Sequence, residues 1–230
     1  MIIKQLFDMD TWTYSYLLID EQSKEAAIID SVKEQAQRDI NYIKSLGITL
    51  KYSFETHIHA DHVTGGGALR EAFEVKTVVH KNSDSDCADI LTKDGEIFYL
   101  GDQAIKVLST PGHTNTCVSY LIDGYVFTGD ALLIRACGRT DFQAGDSATL
   151  FDSITQKLFT LPDSTIVYPG HDYAGFTSTT IAEEKRLNPR LGGNKSKAEF
   201  VEIMDSMDLP NPRYMSVAIP GNLACGSDSN

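Results

Sequence analysis

Apolar positions along this chain alternate between short extended runs and helical spacing. Residues 14–20 and 26–30, dense in Leu, Ile, Ala and Tyr, predict a strand pair. Residues 34–46 carry Ile40, Ile43 and Leu46 on one face and stop at Gly47, which predicts a helix with a glycine C-cap. Residues 51–56 predict a strand, 68–73 a short helix behind Gly65-Gly66-Gly67, and 75–80 a further strand. Asp94-Gly95, Gly101-Asp102 and Asp123-Gly124 are turn signals between strands. Residues 147–161 place Leu150, Phe151, Ile154 and Leu158 on one side and end before Pro162, a second long helix. Ser196-Lys197-Ala198-Glu199 is a capping box that opens a last helix through Met207. Residues 208–230, rich in Pro, Asn and Gly, predict an irregular tail.

One internal echo organises these elements. Ser15-Tyr16-Leu17-Leu18-Ile19-Asp20 resembles Ser119-Tyr120-Leu121-Ile122-Asp123, and each precedes a short strand ending in Asp, at Asp30 and Asp130. The echo fits two similar halves, each a sheet with helices outside. The expected class is therefore α+β, a helix–sheet–sheet–helix sandwich with functional loops at one edge.

Composition narrows the partners. The chain has 230 residues and a formal net charge of −12, which argues against nucleic acid as a ligand. An anionic substrate would need a local basic pocket working against that field. No run approaches a membrane span, and the first ten residues lack the charged and apolar regions of a signal peptide. The four cysteines, at 87, 117, 137 and 225, form no Cys-x-x-Cys pair and are expected as free thiols in a reducing compartment. A cytoplasmic location follows from these expectations.

The chemistry is carried by histidine. Five of the six histidines fall into one pattern: His57, His59 and His62 in Thr-His-Ile-His-Ala-Asp-His, His113 after Pro111-Gly112, and His171 after Pro169-Gly170. Asp61 lies inside the first cluster, and Asp130 closes Thr128-Gly129-Asp130. Neutral imidazole and carboxylate are ligands for divalent transition metals. A single loop histidine is usually a surface residue, but this spacing delivers ligands from four strand ends and points to one or two metals. His80 has no such support and is expected to be structural.

These motifs, THIHADH, PGHT, TGD and PGHDY, resemble the metallo-β-lactamase-fold superfamily across nearly the whole chain. The resemblance implies an αββα four-layer sandwich, two β-sheets flanked by helices, as a single domain over residues 1–230. Within that superfamily, Ala136-Cys137-Gly138-Arg139-Thr140-Asp141-Phe142-Gln143, Glu184-Lys185-Arg186-Leu187-Asn188-Pro189-Arg190 and Asn222-Leu223-Ala224-Cys225-Gly226 resemble the persulfide dioxygenases. No rhodanese domain is expected.

The resemblance implies a mononuclear non-haem Fe(II) enzyme, one iron per chain, that oxidises glutathione persulfide with O2 to sulfite and glutathione. It makes His57, His113 and Asp130 the iron ligands, a two-histidine, one-carboxylate set. His59, Asp61, His62 and His171 correspond to the second metal site of dinuclear relatives and become candidate catalytic groups that hold water or relay protons. Arg139 and Arg190 are candidate partners for the carboxylates of glutathione, with an Arg139–Asp141 ion pair as the competing expectation. Tyr173 is a further candidate substrate contact, and Cys137 and Cys225 are expected to be buried, inert thiols. A homodimer is expected by analogy. The rival function is a dinuclear hydrolase of glutathione thioesters of glyoxalase II type.

Overall fold

In the computed structural model, which describes residues 1–227, the chain forms two six-stranded sheets and six α-helices. The described residues divide into two compact units. One comprises residues 1–92, 97–105 and the stretch from Asn211; the other comprises 93–96 and 106–210.

The first sheet lies wholly in the first unit. It runs β1 (Ile2–Asp8), β2 (Thr13–Ile19), β3 (Glu25–Ile29), β4 (Thr49–Phe54), β5 (Lys76–His80) and β6 (Ile90–Thr92), in spatial order. The first three strands are antiparallel and the last four parallel. Parallel neighbours need crossovers, which α1 (Ala36–Leu46) and α2 (Gly66–Phe73) supply. Gly47 ends α1 at φ 63, as its position predicted. Every residue of β2 is buried, and Leu17, Ile28, Ile43 and Leu69 pack in one core.

The second sheet has the order β12 (Thr179–Thr180), β11 (Ile166–Pro169), β10 (Tyr125–Gly129), β9 (Val118–Ile122), β8 (Gln103–Ser109), β7 (Ile97–Leu100). β10 and β11 pair in parallel, and β8/β9, β9/β10 and β11/β12 are antiparallel. Helices α3 (Ser147–Ser153), α4 (Ile181–Leu187) and α5 (Lys197–Asp205) contribute Leu150, Ile181 and Phe200 to the second unit's core. The α+β class is as expected. The sequence echo is a repeated motif: β2–β3 and β9–β10 are antiparallel pairs, each followed by a parallel strand, β4 or β11.

Some expectations need correction. The stretch from 208 is not all irregular: α6 (Met215–Leu223) forms there with Pro220 inside it, while 228–230 lie outside the described residues. After α3 the helix widens into a π-helical turn over Ile154–Leu158, and α5 stops at Asp205 rather than Met207. The four cysteines are not all thiols. Cys87 and Cys225 form a disulfide across 138 residues of sequence, whereas Cys117 and Cys137 are buried thiols.

Candidate metal centre

Each unit gathers ligand-type side chains just beyond the carboxyl ends of its strands, where loops leave a rigid scaffold. In the first unit β4 ends at Phe54, so His57, His59 and His62 sit in the following loop and not on the strand. All three are buried, and so are Asp30 and Glu55 beside them.

Hydrogen bonds fix the tautomer of His57. The Thr56 amide and hydroxyl both donate to the Asp30 carboxylate, at 2.7 and 2.8 Å. With its own hydrogen directed at Asp30, the Thr56 hydroxyl accepts from His57 Nδ1 at 3.0 Å. His57 Nε2 is then left with its lone pair, the state a metal ligand needs.

His59 is held in the opposite sense. Its Nε2 meets Asp30 Oδ1 at 3.1 Å and Glu55 Oε2 at 3.3 Å, and its buried Nδ1 has no hydrogen-bond partner. Burial disfavours the charged ring, but Asp30 and Glu55 outweigh it and hold the pKa well above the ordinary histidine value. Burial in turn pushes Glu55 up, opposed by His59. His62 Nδ1 bonds Asp61 Oδ2 at 2.8 Å, which leaves its buried Nε2 without a hydrogen-bond partner. Ligand atoms of His59, Asp61 and His62 lie within 4.8 Å of one another.

Asp30 and Glu55 are buried neighbours that motif spacing did not reveal, and Thr56, inside the motif, links Asp30 to His57. Asp30 stands just past the end of a different strand, β3. A final neighbour, Asn222, comes from α6. Its Nδ2 donates to the His59 and His62 carbonyls at 2.9 and 2.8 Å, and its Oδ1 accepts from the Thr64 amide at 2.6 Å.

In the second unit Gly112 stands at φ 132, with no room for a Cβ against the Leu150 backbone. The turn it permits presents His113. His113 Nδ1 donates to the Arg139 carbonyl at 2.6 Å, so Nε2 is again the lone-pair nitrogen. That Nε2 faces Asp130 Oδ2 at 3.6 Å, and His171 Nε2 faces Asp130 Oδ1 at 3.6 Å. These separations are too long for hydrogen bonds. They approximate neighbouring ligands on a shared ion, roughly 3–3.5 Å apart for bonds near 2.1 Å. The buried Asp130 Oδ1 has no hydrogen-bond partner. Nitrogen and carboxylate donors with such atoms left open suit a divalent metal.

The other sequence candidates have defined surroundings. Arg139 forms a bidentate pair with Asp141, both bonds 2.6 Å, and donates to the Pro210 and Leu209 carbonyls at 2.6 and 3.0 Å. Arg190 donates to the Cys137 carbonyl at 2.6 Å, and Asn188 to the Ala136 carbonyl at 3.0 Å. The Glu184–Arg190 motif thus secures the 135–138 segment, with Glu184 also paired to Arg135. Tyr173 is 68% exposed and stacks parallel to His171, ring centroids 5.9 Å apart. His80 caps a short turn through Asn82, the structural part expected of it.

Paired histidine and carboxylate ligands on strand-end loops define a metal-binding member of the metallo-β-lactamase fold. The metallo-beta-lactamase superfamily description matches residues 11–171. The chain is 45% identical to human persulfide dioxygenase ETHE1, mitochondrial, over 98% of this chain and 89% of that protein. A crystal structure of ETHE1 from Myxococcus xanthus superimposes with a TM-score of 0.96 at 50% identity, covering 99% of this chain and all of that one. Glyoxylase B2 of Dictyostelium discoideum is 32% identical over 95% of this chain. The chain belongs to the persulfide dioxygenase family and is an oxidoreductase. Its fold is the expected one, two mixed sheets flanked by helices. No helix of the described residues is long and apolar enough to cross a membrane.

Proposed function

We propose that this chain is a mononuclear Fe(II) dioxygenase, which oxidises glutathione persulfide with O2 to sulfite and glutathione. The observation that carries it is the near full-length likeness to a persulfide dioxygenase, together with the ligand-ready tautomers of His57 and His113. His57, His113 and Asp130 would hold the metal. When bound, iron would bring O2 and the persulfide sulfur together, and the substrate sulfur would supply the electrons that reduce O2.

The remaining work falls to the chain. Asp30, through Thr56, keeps the His57 proton on Nδ1. The Arg139 carbonyl does the same for His113. His59, Asp61, His62 and His171 hold water or move protons beside the substrate sulfur. The exposed Tyr173 ring offers a face to glutathione. Arg190 and Arg139 stay candidates for its carboxylates, although a substrate would compete with Cys137 for one and with Asp141 for the other. We further propose one functional domain over residues 1–230, a homodimer and a cytoplasmic location; the human relative's name assigns that protein to mitochondria.

The thioester hydrolase is not favoured, since the likeness to a dioxygenase is the stronger one. The test is turnover with isotopically labelled O2. Label in the product sulfite supports the reading. Unlabelled sulfite, or thioester hydrolysis in its place, overturns it.

A further inference from the structure

The 57–62 loop that carries three histidines is held by a segment more than 150 residues away in sequence. Asn222 is 4% exposed, and its amide is fully used: two donated bonds to the His59 and His62 carbonyls and one accepted from the Thr64 amide. Three residues on, Cys225 is joined to Cys87. The disulfide therefore ties the stretch bearing Asn222 to the loop after β5.

Two further contacts make this a built joint. Gly67, at the start of α2, lies so close to the Cys225 carbonyl that a Cβ would sit 3.0 Å from it. A cavity of about 10 Å³ is lined by Glu55, His57, Thr64, Asn222 and Cys225, so the half-cystine and His57 border the same space. The two half-cystines differ in exposure. Cys225 is 3% exposed, whereas Cys87 is half-buried. Ser85 Oγ lies 3.1 Å from Cys87 Sγ and 3.6 Å from Cys225 Sγ.

We propose that Asn222 is a positioning residue for the histidine loop, and that the Cys87–Cys225 disulfide is a thiol-responsive latch that keeps it seated. A low-molecular-weight thiolate attacks the sulfur of Cys87, the more exposed half-cystine; the S–S bond breaks and Cys225 leaves as a thiolate that takes up a proton. A second thiol then attacks the mixed disulfide and frees Cys87. Two thiols are oxidised to one disulfide, and the protein disulfide is reduced to two thiols. The thiol released by the proposed dioxygenation belongs to this class. The inference rests on the reading of His57 as a metal ligand only for its consequence, a looser metal site.

The test is hydrogen exchange on the metal-loaded full chain, poised in glutathione buffers of graded reduction, with metal release to a chelator followed in parallel. Opening the disulfide is expected to speed exchange at the Thr64 amide about tenfold while core amides of β2 and β3 keep their protection. Metal release is expected to quicken about tenfold at the same poise. Asn222→Ala with the disulfide intact should reproduce both effects, and reducing that variant should add little. Unchanged Thr64 exchange after reduction, wild-type behaviour of Asn222→Ala, or loss of protection throughout the sheet each overturns the latch. Neither readout needs turnover, so failure of the dioxygenase reading would show separately, as absent oxygen consumption in a protein whose latch still works.

Discussion

The proton on His113 Nδ1 is held by the main-chain carbonyl of Arg139, 2.6 Å away. The orientation of a proposed ligand histidine therefore depends on a segment with no proposed ligand of its own. That segment is secured from α4 and the residues after it, where Asn188 grips the Ala136 carbonyl and Arg190 the Cys137 carbonyl.

Gly138 lies inside this segment. A Cβ there would overlap the Asp130 carbonyl and come within 2.8 Å of the His113 ring. Gly138→Ala is expected to weaken metal binding about 10–100-fold, the usual cost of disturbing a group that orients a ligand. Metal content after dialysis, with circular dichroism to verify folding, checks it. Full metal loading in the variant would contradict it.

Arg139 is engaged by Asp141 and two carbonyls, and its guanidinium lies 4.8 Å from the Phe142 ring centre. Arg139→Ala should lower stability by roughly 2 kcal/mol through these charge-assisted bonds. Denaturant unfolding measures the loss. A raised Michaelis constant with unchanged stability would instead assign Arg139 to the substrate.

Burial pushes the Cys137 thiol up to about 11, against the opposing pull of Arg190. The thiolate is the reactive form, so at pH 8 this residue is expected to resist alkylation in the folded protein and react only after unfolding. Mass spectrometry after iodoacetamide treatment checks it; rapid native labelling at Cys137 would contradict it.

Asp39 is fully buried in α1, and its Oδ2 has no hydrogen-bond partner. Burial raises its pKa, opposed by Arg38. A carboxyl that binds its proton more tightly when folded favours folding while protonated and costs stability once charged. Asp39→Asn should therefore stabilise the protein at pH 7 by roughly 1 kcal/mol. That advantage should shrink as pH falls through the raised folded-state pKa and be gone below the ordinary carboxylate value of about 3.9, where both states are neutral. Thermal melts across pH test the sign, and a less stable variant at pH 7 would contradict it.

Much of this architecture is legible in the sequence because it is local. Gly47 stops α1, Ser196 and Glu199 form the capping box, and the repeated Ser-Tyr-Leu runs mark equivalent hairpins. The ligand motif is equally local, since His57, His59, Asp61 and His62 share one loop. What stayed hidden depends on residues far apart in the chain. Asp30 and Thr56 meet only because β3 and β4 are parallel neighbours. The Cys87–Cys225 pairing spans 138 residues, and spacing alone does not give connectivity. Helix α6 was obscured by Pro220 and Gly221, which read as loop signals although the segment folds as a helix. Asn222 was visible as part of a motif, but not the carbonyls it reaches.

Dioxygenation at a single iron is tested most directly on one anaerobically reconstituted sample. Metal content is measured first, then oxygen uptake on addition of glutathione persulfide. One iron per chain and oxygen consumption that depends on the persulfide are expected. Two metals per chain with no oxygen uptake would contradict it.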